Sequence, residues 1–197
     1  MYDKLNLILT YFSPAISFVL ITVLLLFQIL KKRLPSLKTL GNLIKIFISV
    51  LIIFAIFFSV LNYFAWKQND VSKHLLPPFT PIIYVLHYSW QHYFFASIVT
   101  IIFALIVFWG IKSLNKKFNK TFFYDEEPYL AALGILATGW PNCLIFLCLV
   151  LLLGVTAHFI IQKGRLPLLY FWLPCALLVL LLSGIISKYT TINQLVI

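Results

Sequence analysis

Acidic residues are scarce in this chain. Only five of its 197 residues are Asp or Glu, and charged residues of both signs make up 10%. That excludes a soluble domain of ordinary composition, in which about a quarter of residues are charged. Cysteine is equally thin. Cys143, Cys148 and Cys175 all lie in apolar stretches, and no C-x-x-C occurs. Three thiols cannot all pair, and this spacing supports neither a disulfide framework nor a zinc site. His74, His87, His92 and His158 are scattered, and His87 and His92, five apart, do not share a helix face. Tyr88, Trp90 and Tyr93 around them fit an interfacial aromatic belt better than a metal centre. With no glycine-rich phosphate loop and no Ser–His pair, neither a cofactor nor a metal is expected.

What fills the chain is apolar. Hydrophobic residues reach 62% and the mean hydropathy is +1.02. No soluble domain of this size could bury that much apolar surface, so the bilayer has to be the solvent. The fold class expected is all-α: a polytopic helical membrane protein with five to seven transmembrane or re-entrant helices. A single integral membrane domain over residues 1–197 is expected, multi-pass in the plasma membrane. The net charge of +10 comes from 15 Lys and Arg grouped between apolar runs. Such grouping sets topology and speaks against nucleic-acid binding, which leaves the lipid bilayer as the expected partner.

A crossing helix needs about 20 apolar residues. Residues 7–30, 44–66, 92–111 and 166–187 qualify. Residues 7–30 are too long an apolar run for a signal peptide, and their basic residues follow rather than precede them. Residues 129–161 exceed one simple span and contain Gly139-Trp140-Pro141-Asn142, a break or turn. Residues 75–90 are short and proline-broken, and read as a re-entrant piece or short crossing. Loops 31–45 and 112–120 hold Lys31, Lys32, Arg33, Lys38 and Lys45, and Lys112, Lys116, Lys117 and Lys120. Both are expected on the cytoplasmic side, with the N-terminus outward.

Three of the five acids stand in a row, Asp125-Glu126-Glu127, at the mouth of the 129–161 segment. Carboxylates there are costly enough to ask for a reason. One reading is structural: Pro128 suits the first turn of a helix, and acids before it cap free amides and complement the helix dipole. The other is chemical, with the triplet supplying one member of a carboxylate pair. Asp70, in the polar stretch Lys67-Gln68-Asn69-Asp70, is either a solvated loop residue or the other member. Gly134 and Thr138, with Ala131 and Ala137, read as a close helix-packing patch.

Asp70, five residues and then Leu76-Pro77 resembles the first catalytic aspartate motif of the type IV prepilin peptidases, a family of intramembrane aspartyl proteases. Further matches follow in the family's order over about residues 30–187. Arg33-Leu34-Pro35 follows the first span, Leu130-Ala131-Ala132-Leu133-Gly134 follows the acidic triplet, and Arg165-Leu166-Pro167 with Phe171-Trp172-Leu173-Pro174 opens the last helix. Where the family carries Gly-x-Gly-Asp, this chain reads Phe122-Phe123-Tyr124-Asp125-Glu126, and the place of the second catalytic aspartate falls on Glu126, with Asp125 one step earlier. The resemblance implies an aspartyl endopeptidase that cleaves the leader of a prepilin-like, membrane-inserted substrate. Asp70 would be one catalytic acid and Asp125 or Glu126 the other, two carboxylates sharing one proton. The alternative is a non-catalytic membrane protein with a related helical fold: a scaffold, an assembly factor or a small transport subunit.

Overall fold

A chain this apolar satisfies its backbone most economically by closing every N–H and C=O within helices. The computed structural model describes residues 2–31, 35–118, 123–161 and 168–189, and among these no strand occurs. The helices are α1 (Tyr2–Lys31), α2 (Leu37–Gln68), α3 (Ile82–Ser89), α4 (Phe95–Lys117), α5 (Glu127–Thr138), α6 (Asn142–Ile161) and α7 (Trp172–Tyr189). Lys32, Arg33 and Leu34, Lys120 and Phe122, and Arg165-Leu166-Pro167 lie outside the described residues.

Among the described residues two helices are long and apolar enough to cross a membrane. One is α2. The other runs unbroken over Ile82–Lys117, because a π turn at Trp90–Phe94 joins α3 to α4. This corrects the expectation of a separate segment at 75–90 followed by a span at 92–111. Between Pro81 and Gly110 no Gly or Pro stands to stop a helix. The prolines of Pro77-Pro78 and Pro81 therefore confine the irregular backbone to residues just past the short 3-10 turn Ser72–Leu75.

Ser36 starts α2 by accepting the Thr39 N–H on its Oγ at 3.2 Å. Such a cap contributes about 1 kcal/mol. Ser36→Ala is expected to lower stability by that amount, read from thermal unfolding in detergent.

α2 and the 82–117 helix run antiparallel. Phe58 meets Tyr93 at 6.3 Å between ring centroids, and Trp66 meets Tyr88 at 4.7 Å. Trp66, Leu76 and Val85 form a small buried cluster at the end where α2 stops. Outward-facing Ile53, Ile56, Phe57 and Phe64 of α2 and Ile102, Ile106 and Trp109 of α4 stay exposed, an apolar surface far larger than a soluble protein tolerates.

The core is organised around α5. It is apolar on every side, which suits a helix enclosed by others, and every residue except Tyr129 is buried. Helices α1, α2, α4, α6 and α7 surround it. The break at Gly139-Trp140-Pro141 is where the sequence placed it. Gly139 ends α5 with φ +68°, a left-handed value open to glycine at no steric cost. Beyond it α6 doubles back along α5: Phe146 packs on Gly134, while Gly154 packs on Leu168, whose neighbour Leu169 bonds to Glu127 at the start of α5. The pair is a helical hairpin about 18 Å deep on the α5 side, from a rise of 1.5 Å per residue. The small-residue patch expected at Gly134 is what lets the two arms approach.

Candidate functional site at the acidic triplet

Pro128 in the first turn of α5 fixes where that helix begins, and the acidic triplet stands at this point. Tyr124 accepts the Glu127 N–H at 3.2 Å, and the Glu126 carbonyl accepts the N–H groups of Tyr129 and Leu130, each at 3.1 Å. The expectation of side-chain capping is corrected for Glu126, which occupies the N-cap position and makes no side-chain cap bond. Its backbone is helical (φ −84°, ψ −24°), so the carboxylate is not presented to the free amides as an extended cap residue would present it. Glu127, in the first turn, still complements the helix dipole.

The three acids have different surroundings. Asp125 lines a cavity of about 680 Å³ with Lys112, Lys116, Ser113, Trp109 and Tyr129. Lys112 also stands over the Phe108 and Trp109 rings, at 5.7 and 5.2 Å from their centroids. Asn115, buried on the same helix, accepts the Phe123 N–H on Oδ1 at 3.2 Å and ties the segment before the triplet to α4. The cavity mixes basic, aromatic and apolar groups.

Glu127 faces the opposite way. Its side chain is 0% exposed. Oε1 accepts the Leu169 N–H at 3.2 Å, while Oε2 has no hydrogen-bond partner. Trp172 Nε1 is the side-chain donor beside the carboxyl. Burial pushes the carboxyl up to about 7, and hydrogen bonding from the Tyr124 and Leu169 backbone only partly offsets that. A fully buried carboxyl raised by desolvation, with only one oxygen held by a backbone N–H, is an uncommon group in a protein interior. Reading by motif passes over it, because the family register points to Glu126 and Asp125. No local signal singles it out either: α5 is apolar on every side, so each acid of the triplet precedes an equally apolar helix face.

Asp70 is elsewhere. It is 95% exposed and pairs with Lys73 at 2.7 Å, an i,i+3 contact that holds its carboxyl below the ordinary range. Asn69 Oδ1 accepts the Val71 N–H at 3.0 Å, a local turn bond. Asp70 lies two residues beyond Gln68, the last residue of α2, whereas Leu37, the first residue of α2, lines the cavity that holds Asp125. A helix of 32 residues is about 48 Å long. The acidic triplet therefore shares one end of the molecule, with Asp125 and Glu127 facing apart, and Asp70 does not join it. At that separation no two carboxylates share a proton. Comparison with protein-family models, with curated proteins and with solved structures finds no match for this chain.

Proposed function

We propose that the chain is a multi-pass protein of the cell membrane that works without an aspartyl dyad. It would be a scaffold, an assembly factor or a small transport subunit whose helical fold is related to that of the prepilin peptidases. The observation that carries this reading is the placement of Asp70 and the acidic triplet at opposite ends of α2. In the proposed topology α1, α2, the 82–117 helix and α7 cross the bilayer, and α5–α6 enters as a re-entrant hairpin from the triplet side. Re-entrant backbone is tolerated at membrane depth only when protein encloses it, and the burial of α5 supplies that enclosure.

Charge supports the orientation. Lys31, Lys38, Lys112, Lys116 and Lys117 belong to the end of the bundle that holds the triplet. Basic residues at helix ends mark the cytoplasmic side. In this arrangement the two basic loops face the same way, and the Asp70 turn faces outward.

Single cysteines at positions 70 and 125 in a cysteine-free background provide the test. An impermeant maleimide added to intact cells is expected to label position 70 and to reach position 125 only after permeabilisation. Labelling of both positions from one face would overturn the reading. A co-expressed prepilin gives a second arm: no processing that depends on both Asp70 and Asp125 or Glu126 is expected. Cleavage abolished by Asp70→Asn and by either Asp125→Asn or Glu126→Gln would restore the peptidase.

A further inference from the structure

The turn of the α5–α6 hairpin adjoins a cavity of about 170 Å³. Leu51 near the middle of α2 and Thr100 near the middle of the 82–117 helix both line it. On the multi-pass reading, on which its depth rests, the cavity lies close to the bilayer midplane. The surroundings are unusually polar for that position. Ser97, Thr100, Thr138, Asn142 and Ser183 line it, and Thr100 is only 2% exposed.

The direction of the hydrogen bonds decides what this cavity can hold. Ser97 Oγ donates to the Tyr93 carbonyl at 3.2 Å and Thr100 Oγ1 to the Ala96 carbonyl at 2.7 Å. Thr138 Oγ1 donates to the Gly134 carbonyl at 2.9 Å and Ser183 Oγ to the Leu180 carbonyl at 2.7 Å. Each hydroxyl proton is committed to its own helix, so these oxygens offer lone pairs to the cavity. The end of α5 adds more acceptors. The Trp140 N–H, which would have returned to the Leu136 carbonyl, bonds Thr100 Oγ1 at 2.9 Å instead. Pro141 has no N–H to give the Ala137 carbonyl. The last carbonyls of α5 are its negative pole; the first turn of α6 begins at the same place with Asn142, but the Cys143 and Leu144 N–H groups are taken by the Gly139 and Pro141 carbonyls at 2.8 and 3.1 Å. Among the lining side chains only Trp140 and Asn142 carry N–H donors, and Asn142 brings a carbonyl oxygen as well.

We propose that this cavity binds a monovalent alkali cation together with part of its hydration shell. Acceptors outnumber donors among the lining side chains, and an array of lone pairs with few opposing donors is what coordinates a cation and its remaining waters. No carboxylate lines the cavity, and divalent ions of the calcium and magnesium type are held through carboxylates. The volume is several times the roughly 30 Å³ share of one liquid water, leaving room for an ion with a few waters. A helix that ends at mid-depth and turns its last carbonyls to a cavity, as α5 does, is a recurring way to bind such ions in membrane proteins.

The test uses the full chain in detergent micelles and radioactive sodium chloride as the probe. Saturable binding is expected, displaced by unlabelled sodium chloride and not by choline chloride at equal ionic strength. The double variant Ser97→Ala/Thr138→Val keeps the apolar shape and the Trp140–Thr100 bond, and is expected to weaken binding by about tenfold or more, the effect of roughly 1.4 kcal/mol. Ser183→Ala serves as an independent variant with a smaller loss, should the double variant not fold. The proposal is overturned if no saturable sodium binding is found, or if the folded variants bind as tightly as the wild type. Failure of the multi-pass reading would appear in the cysteine labelling and would leave this binding measurement unaffected.

Discussion

Raising the pH from about 5 to about 8 is expected to lower the thermal midpoint of the detergent-solubilised protein, and Glu127→Gln is expected to remove most of that fall. The cause is the buried Glu127 carboxyl, raised from the ordinary 4.5 to about 7. Below the ordinary value both folded and unfolded chains hold the proton, and the group is neutral to stability. Between the two values the folded chain keeps a proton that the unfolded chain has released. Stability then falls as pH rises, because the native state binds more protons. Above about 7 both forms are ionised and the full cost is present. At 1.36 kcal/mol per unit, that cost is on the order of 3 kcal/mol. Glutamine keeps an oxygen for the Leu169 N–H and never ionises, so its variant should lose most of the slope and match the wild type best at low pH. Glu127→Ala differs again. It leaves the Leu169 N–H without its acceptor, which costs about 1–3 kcal/mol at every pH. A wild-type slope unchanged in Glu127→Gln would show that another group titrates.

The second large effect is at Gly134. A Cβ built there would lie 2.3 Å from Phe146 Cζ and 2.8 Å from Cε1. Phe146 is itself fully buried and its ring meets Trp172 at 5.9 Å, so it has nowhere to retreat. Gly134→Ala is expected to destabilise by about 1–3 kcal/mol, the usual cost of overpacking, despite the better helix propensity of alanine. Phe146→Leu in the same chain should recover part of the loss, giving a coupling that a double-mutant cycle measures directly. Gly154 is the control. Its Cβ would also lie 2.3 Å from a neighbour, but that neighbour is Leu168 Cδ2, the tip of a flexible side chain. Rotation of Leu168 relieves the clash, so Gly154→Ala should stay within about 1 kcal/mol of the wild type. Unfolding midpoints in detergent give all four values. Equal losses at Gly134 and Gly154 would refute the distinction between a rigid and a yielding neighbour.

Helix content and the existence of apolar runs were legible in the sequence because hydropathy and length are properties of one segment at a time. Gly139-Trp140-Pro141 was legible as a break for the same reason: glycine and proline act on their own backbone. The register of the 82–117 helix was not. Prolines at 77, 78 and 81 made residues 75–90 look separate, whereas the helix starts just after the last of them and continues through a π turn. The candidate site was legible as a place and illegible in detail. Asp125-Glu126-Glu127 was marked by the scarcity of acids, but nothing local distinguishes the cavity-lining Asp125 from the buried Glu127. Their neighbours come from α4, from Leu169 and from Trp172, distant in the chain.

By itself the sequence determined that the chain is helical, that it is too apolar for water and that its acids collect at the mouth of α5, since composition and backbone chemistry are local. Only the tertiary structure decided that α6 folds back on α5, that Glu127 is the enclosed carboxyl, and that Asp70 stands a helix length away from the triplet. Those outcomes depend on which side chains fit together across helices. A side chain such as Phe146 settles on Gly134 for want of a Cβ there, and no window along one helix can report that fit.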